Sequence, residues 1–224
     1  MNHISVAIDG PAGAGKSSIA RKTAEALDFV YVDTGAIYRT VGYAVLSAGL
    51  DPDQAQQVAQ LLPSLRVKLD WIGGVQHMFL NGVDVTDHIR TPEVSSAASR
   101  VSAVPAVRDF LLETQRATAR EHNVIMDGRD IATVVLPNAD VKIFLSASAE
   151  VRARRRFREL QEAGKDQSYE DVLKDMQERD ARDTNRAIAP LRPAEDSIRF
   201  DTSDLTLEQS VASVIEIIRK KLNL

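Results

Sequence analysis

The sequence has no cysteine in 224 residues. That excludes a disulfide framework, a thiolate metal site and a thiol nucleophile, and it fits a reducing compartment. No apolar run approaches the length of a membrane span, and the apolar stretch from Ile4 to Ile8 is shorter than the core of a signal peptide. A membrane partner is therefore not expected, and the expected location is the cytoplasm. Histidine is scarce as well. His3, His77, His88 and His122 stand outside every motif and in no metal-ligand spacing, so they read as surface or packing residues. Positive charge is not in excess either: a net charge of -4 argues against a general nucleic-acid partner. With 44% hydrophobic and 27% charged residues, and no repeat, low-complexity tract or interdomain linker, the chain reads as one globular, monomeric domain over residues 1–224.

What the sequence does contain is a phosphate loop. Gly10-Pro11-Ala12-Gly13-Ala14-Gly15-Lys16-Ser17 matches G-x-x-x-x-G-K-[ST] directly behind the apolar run Ile4 to Ile8. The chemistry needs glycine there because the backbone curls around an anion with its N–H groups inward, and the following helix aims its N-terminus at the phosphates. Lys16 would reach the β- and γ-phosphates. The Ser17 hydroxyl would take one position on a magnesium ion that otherwise keeps several waters.

The loop connects a strand over 3–9 to a helix over about 16–27, in which Ile19, Ala20, Thr23, Ala24 and Leu27 recur at helical spacing. A second strand, Val30 to Val32, completes a βαβ unit. Val124 to Met126, Val141 to Leu145 and Ile198 to Phe200 are further short apolar strands separated by helical patterns, so the class is α/β with a parallel sheet. Leu65 to Leu80 breaks the rhythm: two alternating runs around Gly73-Gly74 predict an antiparallel hairpin inserted on the core, with Asn81-Gly82 as another turn.

Three late helices are predicted from their ends. Ser146 or Ser148 caps one that runs to about Ala163, with Gly164 placed to stop it, and it carries Arg152, Arg154, Arg155, Arg156 and Arg158. This cluster lacks matching acids, which favours an anion as its partner. Phe157 is the sole aromatic beside it, so base stacking is not expected. Ser168 with Asp171 opens the next helix, which would carry Arg179, Asp183 and Arg186 on one face at i, i+4 and i+7. Thr206 and Gln209 form a capping pair for a closing helix over about 207–222.

Asp127 ends the strand Val124 to Met126 and projects from the carboxyl edge of the sheet, where the loop also lies. It is the candidate for the second magnesium-organising carboxylate. Arg39, Arg108 and Arg129 add cations outside the helices. Phosphoryl transfer asks little covalent chemistry of a protein, so planar guanidinium groups that neutralise phosphate oxygens suit it. The acceptor follows from the same inventory: an alcohol would need a base, whereas a phosphate is largely a ready nucleophile near neutral pH. Many arginines and no histidine-centred base favour phosphate.

Taken together, the loop, Asp33-Thr34-Gly35-Ala36-Ile37-Tyr38-Arg39, Ile89-Arg90-Thr91, Ala97-Ala98-Ser99, Asp127-Gly128-Arg129-Asp130, and Glu178-Arg179-Asp180 through Arg186-Ala187 resemble the bacterial cytidylate kinases of the nucleoside monophosphate kinase group, in family order and essentially end to end. The resemblance implies a P-loop NTPase-type five-stranded parallel sheet flanked by helices, with a small antiparallel insertion that binds the monophosphate and a helical lid that closes over ATP. The expected boundaries are a core of about 1–60, 115–148 and 188–224, an insertion of about 61–114 and a lid of about 149–187. The implied reaction is phosphoryl transfer from ATP to CMP or dCMP with Mg2+. Ser99, Arg108 and Asp130 would read the cytosine edge, Arg179 and Asp183 would hold the sugar, and Thr34, Arg39, Arg129 and Arg186 would surround the acceptor phosphate. Many relatives have Ser at the position of Thr34, which keeps the hydroxyl. Gly10 to Ser17 with Ser18 and the lid residue Arg155 would hold ATP, Ser17 and Asp127 the metal, and Lys16, Asp127, Arg129 and Arg186 would act on the reacting phosphates. Two other readings remain at this level: a nucleotide-dependent regulatory or binding protein, and a kinase for another small phosphate-bearing acceptor.

Overall fold

The computed structural model describes residues 3–223. In chain order the elements are β1 (Ser5–Asp9), α1 (Lys16–Leu27), β2 (Val30–Asp33), α2 (Thr34–Ser47), α3 (Ala55–Leu61), β3 (Val67–Ile72), β4 (Val75–Leu80), β5 (Val83–Asp84), α4 (Pro92–Val101), α5 (Pro105–Glu121), β6 (Val124–Gly128), β7 (Val141–Ser146), α6 (Ala149–Glu162), α7 (Tyr169–Asn185), β8 (Ile198–Asp201) and α8 (Leu207–Leu222). They form two compact units whose boundary runs through β2: Val32–His122 is one, and Ile4–Tyr31 with Asn123 onward is the other.

The second of these carries the five-stranded parallel sheet, in the order β2-β6-β1-β7-β8. Val6, Ala7 and Ile8 of β1, Val124 to Met126 of β6, and Val141, Ile143 and Leu145 of β7 are all buried, as the apolar runs of a parallel sheet require. On one face, Ile19, Ala20 and Ala24 of α1 and Val214 and Ile218 of α8 pack against Val6, Ile8, Ile143 and Leu145. The register sets Ile8 beside Asp127 and Ile143, which brings the ends of β1 and β6 level at the carboxyl edge of the sheet. A one-turn π-type helix over Ile131–Val135 follows β6. α6 and α7 share a small core of Ala153, Leu160, Val172 and Met176, and the ring of Phe157 meets Tyr169 edge-on. Phe157 is thus a packing residue of this helix pair.

The caps predicted from sequence form. Ser148 and Ser168 accept from the amides of Val151 and Asp171, and Thr206 and Gln209 make a full capping box. The one-face prediction for Arg179, Asp183 and Arg186 fails at its last member. α7 stops at Asn185, and Arg186 is extended, with φ -61° and ψ 139°. The chain leaves the helix there because it turns back on itself: the Leu191 amide returns to the Asp183 carbonyl at 2.8 Å, through Ala189 at φ +49°.

In the Val32–His122 unit, α2 crosses α4 closely. A β-carbon on Gly42 would lie 2.8 Å from the Ala98 nitrogen, so only glycine permits the approach. β3 and β4 form the predicted hairpin, with Ile72 paired to Val75 across Gly73-Gly74. The turn at Asn81-Gly82 adds a third strand that the sequence reading lacked, since β5 is too short to show alternation. Among the described residues no helix is long and apolar enough to cross a membrane.

Candidate active site

The loop is shaped by β7 and held by α6. Gly10 has φ +152°, and a β-carbon there would lie 2.1 Å from the Leu145 carbonyl oxygen, so the loop leaves β1 against its neighbour's backbone. Gly15, at φ +84°, precedes the first residue of α1. Arg152 donates to the Ala12 carbonyl at 3.0 Å, and the single Thr202 hydroxyl proton is shared between the carbonyls of Ser146, at 3.1 Å, and Ala14, at 3.3 Å. In a planar trans peptide the C=O and the next N–H point oppositely, so the amides of Gly13 and Gly15 face away from these donors. That is what an anion-binding loop requires. Lys16 is buried and donates to the Pro11 carbonyl at 2.7 Å.

Beside the loop, the Ser17 hydroxyl donates to Asp127 at 2.8 Å, and Tyr31 donates to the other Asp127 oxygen at 3.1 Å. The predicted serine and carboxylate are therefore in contact. Arg155 stands near Gly15 and donates to the Thr202 carbonyl at 2.7 Å, while Ser18 is exposed at the start of α1. The arginine run on α6 does have acids, contrary to the sequence reading. Arg152 pairs with Asp180 of α7 at 2.7 Å and Arg156 with Glu159 at 2.9 Å. One partner was hidden because it lies 28 residues away.

Beyond β6 the cations and carboxylates interlock. The Arg129 guanidinium donates to Asp183 at 2.9 Å, and Arg186 reaches Asp130 at 3.4 Å. Burial works to raise Asp183, but Arg129, Arg179 and Arg186 outweigh it and hold its carboxyl below the ordinary range. Burial, then the like charge of Arg129, holds Lys16 well below the ordinary lysine range; Arg179 adds to this, and Asp127 and Asp9 oppose it. Lys16, Arg129 and Arg179 thus converge closely enough to repel, and an anion among them would relieve the repulsion. Sequence reasoning missed Asp9. Its carboxylate accepts the Ile131 and Ala132 amides, both at 2.8 Å, and so fixes the turn that carries Asp130. Burial pushes Asp9 up to about 6 against an ordinary 3.8. Its place at the end of β1 was the available signal.

The Val32–His122 unit holds the other candidates. Thr34 is buried as the first residue of α2. Asp33 caps that helix by accepting the Ala36 amide at 2.9 Å and pairs with Arg39 at 2.8 Å. Arg108 on α5 donates to the Ser102 carbonyl at 3.1 Å and lies over the Tyr38 ring. Among the described residues of this unit, four buried side-chain atoms lack a hydrogen-bond partner, Arg39 Nε, Ser99 Oγ, Arg100 Nε and Gln115 Oε1, and the first two belong to the candidates. Such atoms cost about 1–3 kcal/mol each unless a ligand or water meets them. His77 pairs with Asp84, His88 stacks on Tyr43, and His122 meets Trp71 edge-on.

A parallel sheet whose central strand feeds a glycine loop, a buried lysine and a serine–aspartate pair, with arginines converging beside them, defines a P-loop phosphotransferase. The sequence profile of the cytidylate kinase family matches residues 6–220, and the chain belongs to that family. It is 46% identical over 220 residues to the cytidylate kinase of Caldicellulosiruptor bescii, covering 98% of this chain and 97% of that one. It is 50% identical over 216 residues to the cytidylate kinase of Carboxydothermus hydrogenoformans, covering 96% and 97%. Against that of Halalkalibacterium halodurans the figures are 43% over 221 residues, 99% and 100%.

Proposed function

We infer that the protein transfers the γ-phosphoryl group of ATP to CMP or dCMP, giving ADP and CDP or dCDP. The observation that carries this reading is the set of cations that follows Asp127, which Ser17 of the loop meets at 2.8 Å: Arg129 pairs with Asp183 at 2.9 Å and Arg186 with Asp130 at 3.4 Å. Such a set of cations is suited to phosphates, and no histidine stands with them among the assigned site residues. In this reading Gly10 to Ser18 and Arg155 hold ATP. Lys16, Arg129 and Arg186 neutralise the charge that spreads over the phosphate oxygens in the transition state. Asp130 accepts from the cytosine amino group, and Arg179 and Asp183 hold the sugar. In the Val32–His122 unit, Thr34 and Arg39 offer a hydroxyl and a guanidinium to the acceptor phosphate, and Ser99 and Arg108 offer donors to the base. The partnerless Ser99 Oγ and Arg39 Nε support those two roles.

Mg2+ fits the contact between Ser17 and Asp127, which presents a hydroxyl and a buried carboxylate, the hard oxygen ligands that this ion takes. When bound with ATP it supplies neutralisation of phosphate charge. The region of about 149–187, built on α6 and α7, is proposed as the lid. Its closure excludes water, the competing acceptor, and strengthens the arginine contacts by lowering the local dielectric. The enzyme is proposed to work as a cytoplasmic monomer.

Release of ADP from Mg-ATP, measured against each common nucleoside monophosphate, tests the reading. CMP and dCMP should turn over, with UMP and AMP far slower. Efficient transfer to UMP or AMP with CMP ignored, or tight nucleotide binding with no transfer to any monophosphate, contradicts it.

A further inference from the structure

Gln76 lies on β4 of the inserted sheet, at an inward position of the alternation and 9% exposed. A buried amide side chain is costly unless both of its ends are hydrogen-bonded. Both of them find the same residue. Gln76 Oε1 accepts the Asp33 backbone amide at 2.8 Å, and Nε2 donates to the Asp33 carbonyl at 3.2 Å. Exchanging both bonds with one residue is what a neighbouring strand does in an antiparallel ladder. Asp33 closes β2, an edge strand that among the described residues has no strand on its outer side, and the glutamine amide stands in for the missing peptide.

Asp33 is also the residue that caps α2 and pairs with Arg39. Its backbone is held by Gln76 and its carboxylate is shared between the Ala36 amide and the Arg39 guanidinium. The position of the Asp33-to-Arg39 stretch is therefore tied to a side chain from the insertion. We propose that Gln76 is a positioning residue for acceptor binding: the inserted sheet uses it to fix Asp33, and through Asp33 the placement of Thr34 and Arg39. This gives the inserted sheet a consequence for acceptor binding through a side chain assigned no substrate contact. The proposal rests on the acceptor role assigned to Thr34 and Arg39 above.

The test compares Gln76→Met, which keeps length and bulk but removes both bonds, with Gln76→Glu, which keeps an acceptor for the Asp33 amide. Thr86→Val serves as a control, because Thr86 accepts the Met78 amide at 2.9 Å and its loss loosens the same sheet without touching Asp33. In steady-state kinetics with both substrates varied, Gln76→Met should raise KM for CMP about tenfold while KM for ATP stays within about twofold. Gln76→Glu should fall between it and the parent, and Thr86→Val should leave KM for CMP unchanged. Hydrogen exchange at the Asp33 amide should quicken in Gln76→Met alone. An unchanged KM for CMP in Gln76→Met overturns the proposal, as does an equal rise in Thr86→Val or a parallel rise in KM for ATP. If Gln76→Met does not fold, Gln76→Glu decides by the same ratio. A parent enzyme that does not phosphorylate CMP counts against the functional reading instead, and the exchange rate at Asp33 still reports on the contact.

Discussion

The phosphate loop and the arginine–carboxylate cluster grip anions by opposite means. The loop is made of main chain: its glycines fit against β7 and α6, and its carbonyls are pinned by Arg152 and Thr202. The cluster is made of side chains. Arg129, Asp130, Asp183 and Arg186 come from the turn after β6 and the end of α7, and they hold one another by ion pairs. A backbone site is rigid, and an atom added where two main chains meet, as at Gly10 against Leu145, has no room. A side-chain site is graded, since each member contributes through its own ion pair.

The contrast fails if backbone and side-chain changes have similar effects. Gly10→Ala should have the largest effect, because its β-carbon meets the Leu145 backbone; a loss of more than about 4 kcal/mol is expected in denaturant unfolding. Gly13→Ala, at φ +74° and with its β-carbon 3.1 Å from the Arg152 β-carbon and the Met176 methyl, should also destabilise but less than Gly10→Ala, because its nearest neighbours are side-chain atoms; no loss at either glycine would undo the comparison. Lys16→Ala should keep the fold and lower kcat by about a thousandfold, equivalent to about 4 kcal/mol of transition-state stabilisation, as read by ADP release.

Asp9 joins the two regions and offers a pH test. Its folded-state value of about 6 exceeds the ordinary 3.8, so the native state binds more protons than the unfolded chain between those values. The stability it contributes is present below about pH 4 and is lost as pH rises through about 6. The loss is at most about 3 kcal/mol at about 1.4 kcal/mol per pH unit. Unfolding midpoints measured across this range should fall less steeply in Asp9→Asn than in the parent, and identical slopes would refute the assignment. Asp130→Ala should have a smaller, selective effect, narrowing the preference for CMP over UMP by about thirtyfold with ATP affinity kept. Equal losses for both pyrimidines would remove its role in reading the base.

The same contrast explains what could be read from sequence. The loop, α1 and the caps at Ser148, Ser168 and Thr206 were legible because each is a local pattern whose members lie a few residues apart. The membership of the cluster was legible only through family resemblance, and its geometry was not. A helical repeat could not foresee that Leu191 would turn back onto Asp183 and leave Arg186 beyond the helix end. Nor could spacing reveal that Asp180 answers Arg152, or that Gln76 and Asp33 meet across 43 residues. Such pairs are set by packing of distant segments, and a single sequence carries no period for them.

Asp183 tests the division most directly, because it orients Arg129 and stands among the arginines without touching the loop's pinned carbonyls. Kinetics of Asp183→Ala with ATP and CMP varied independently should show KM for CMP raised by about tenfold or more and KM for ATP within about twofold of the parent. A matching rise in both constants would mean that donor and acceptor are not held by separate parts of the site, and would contradict the account.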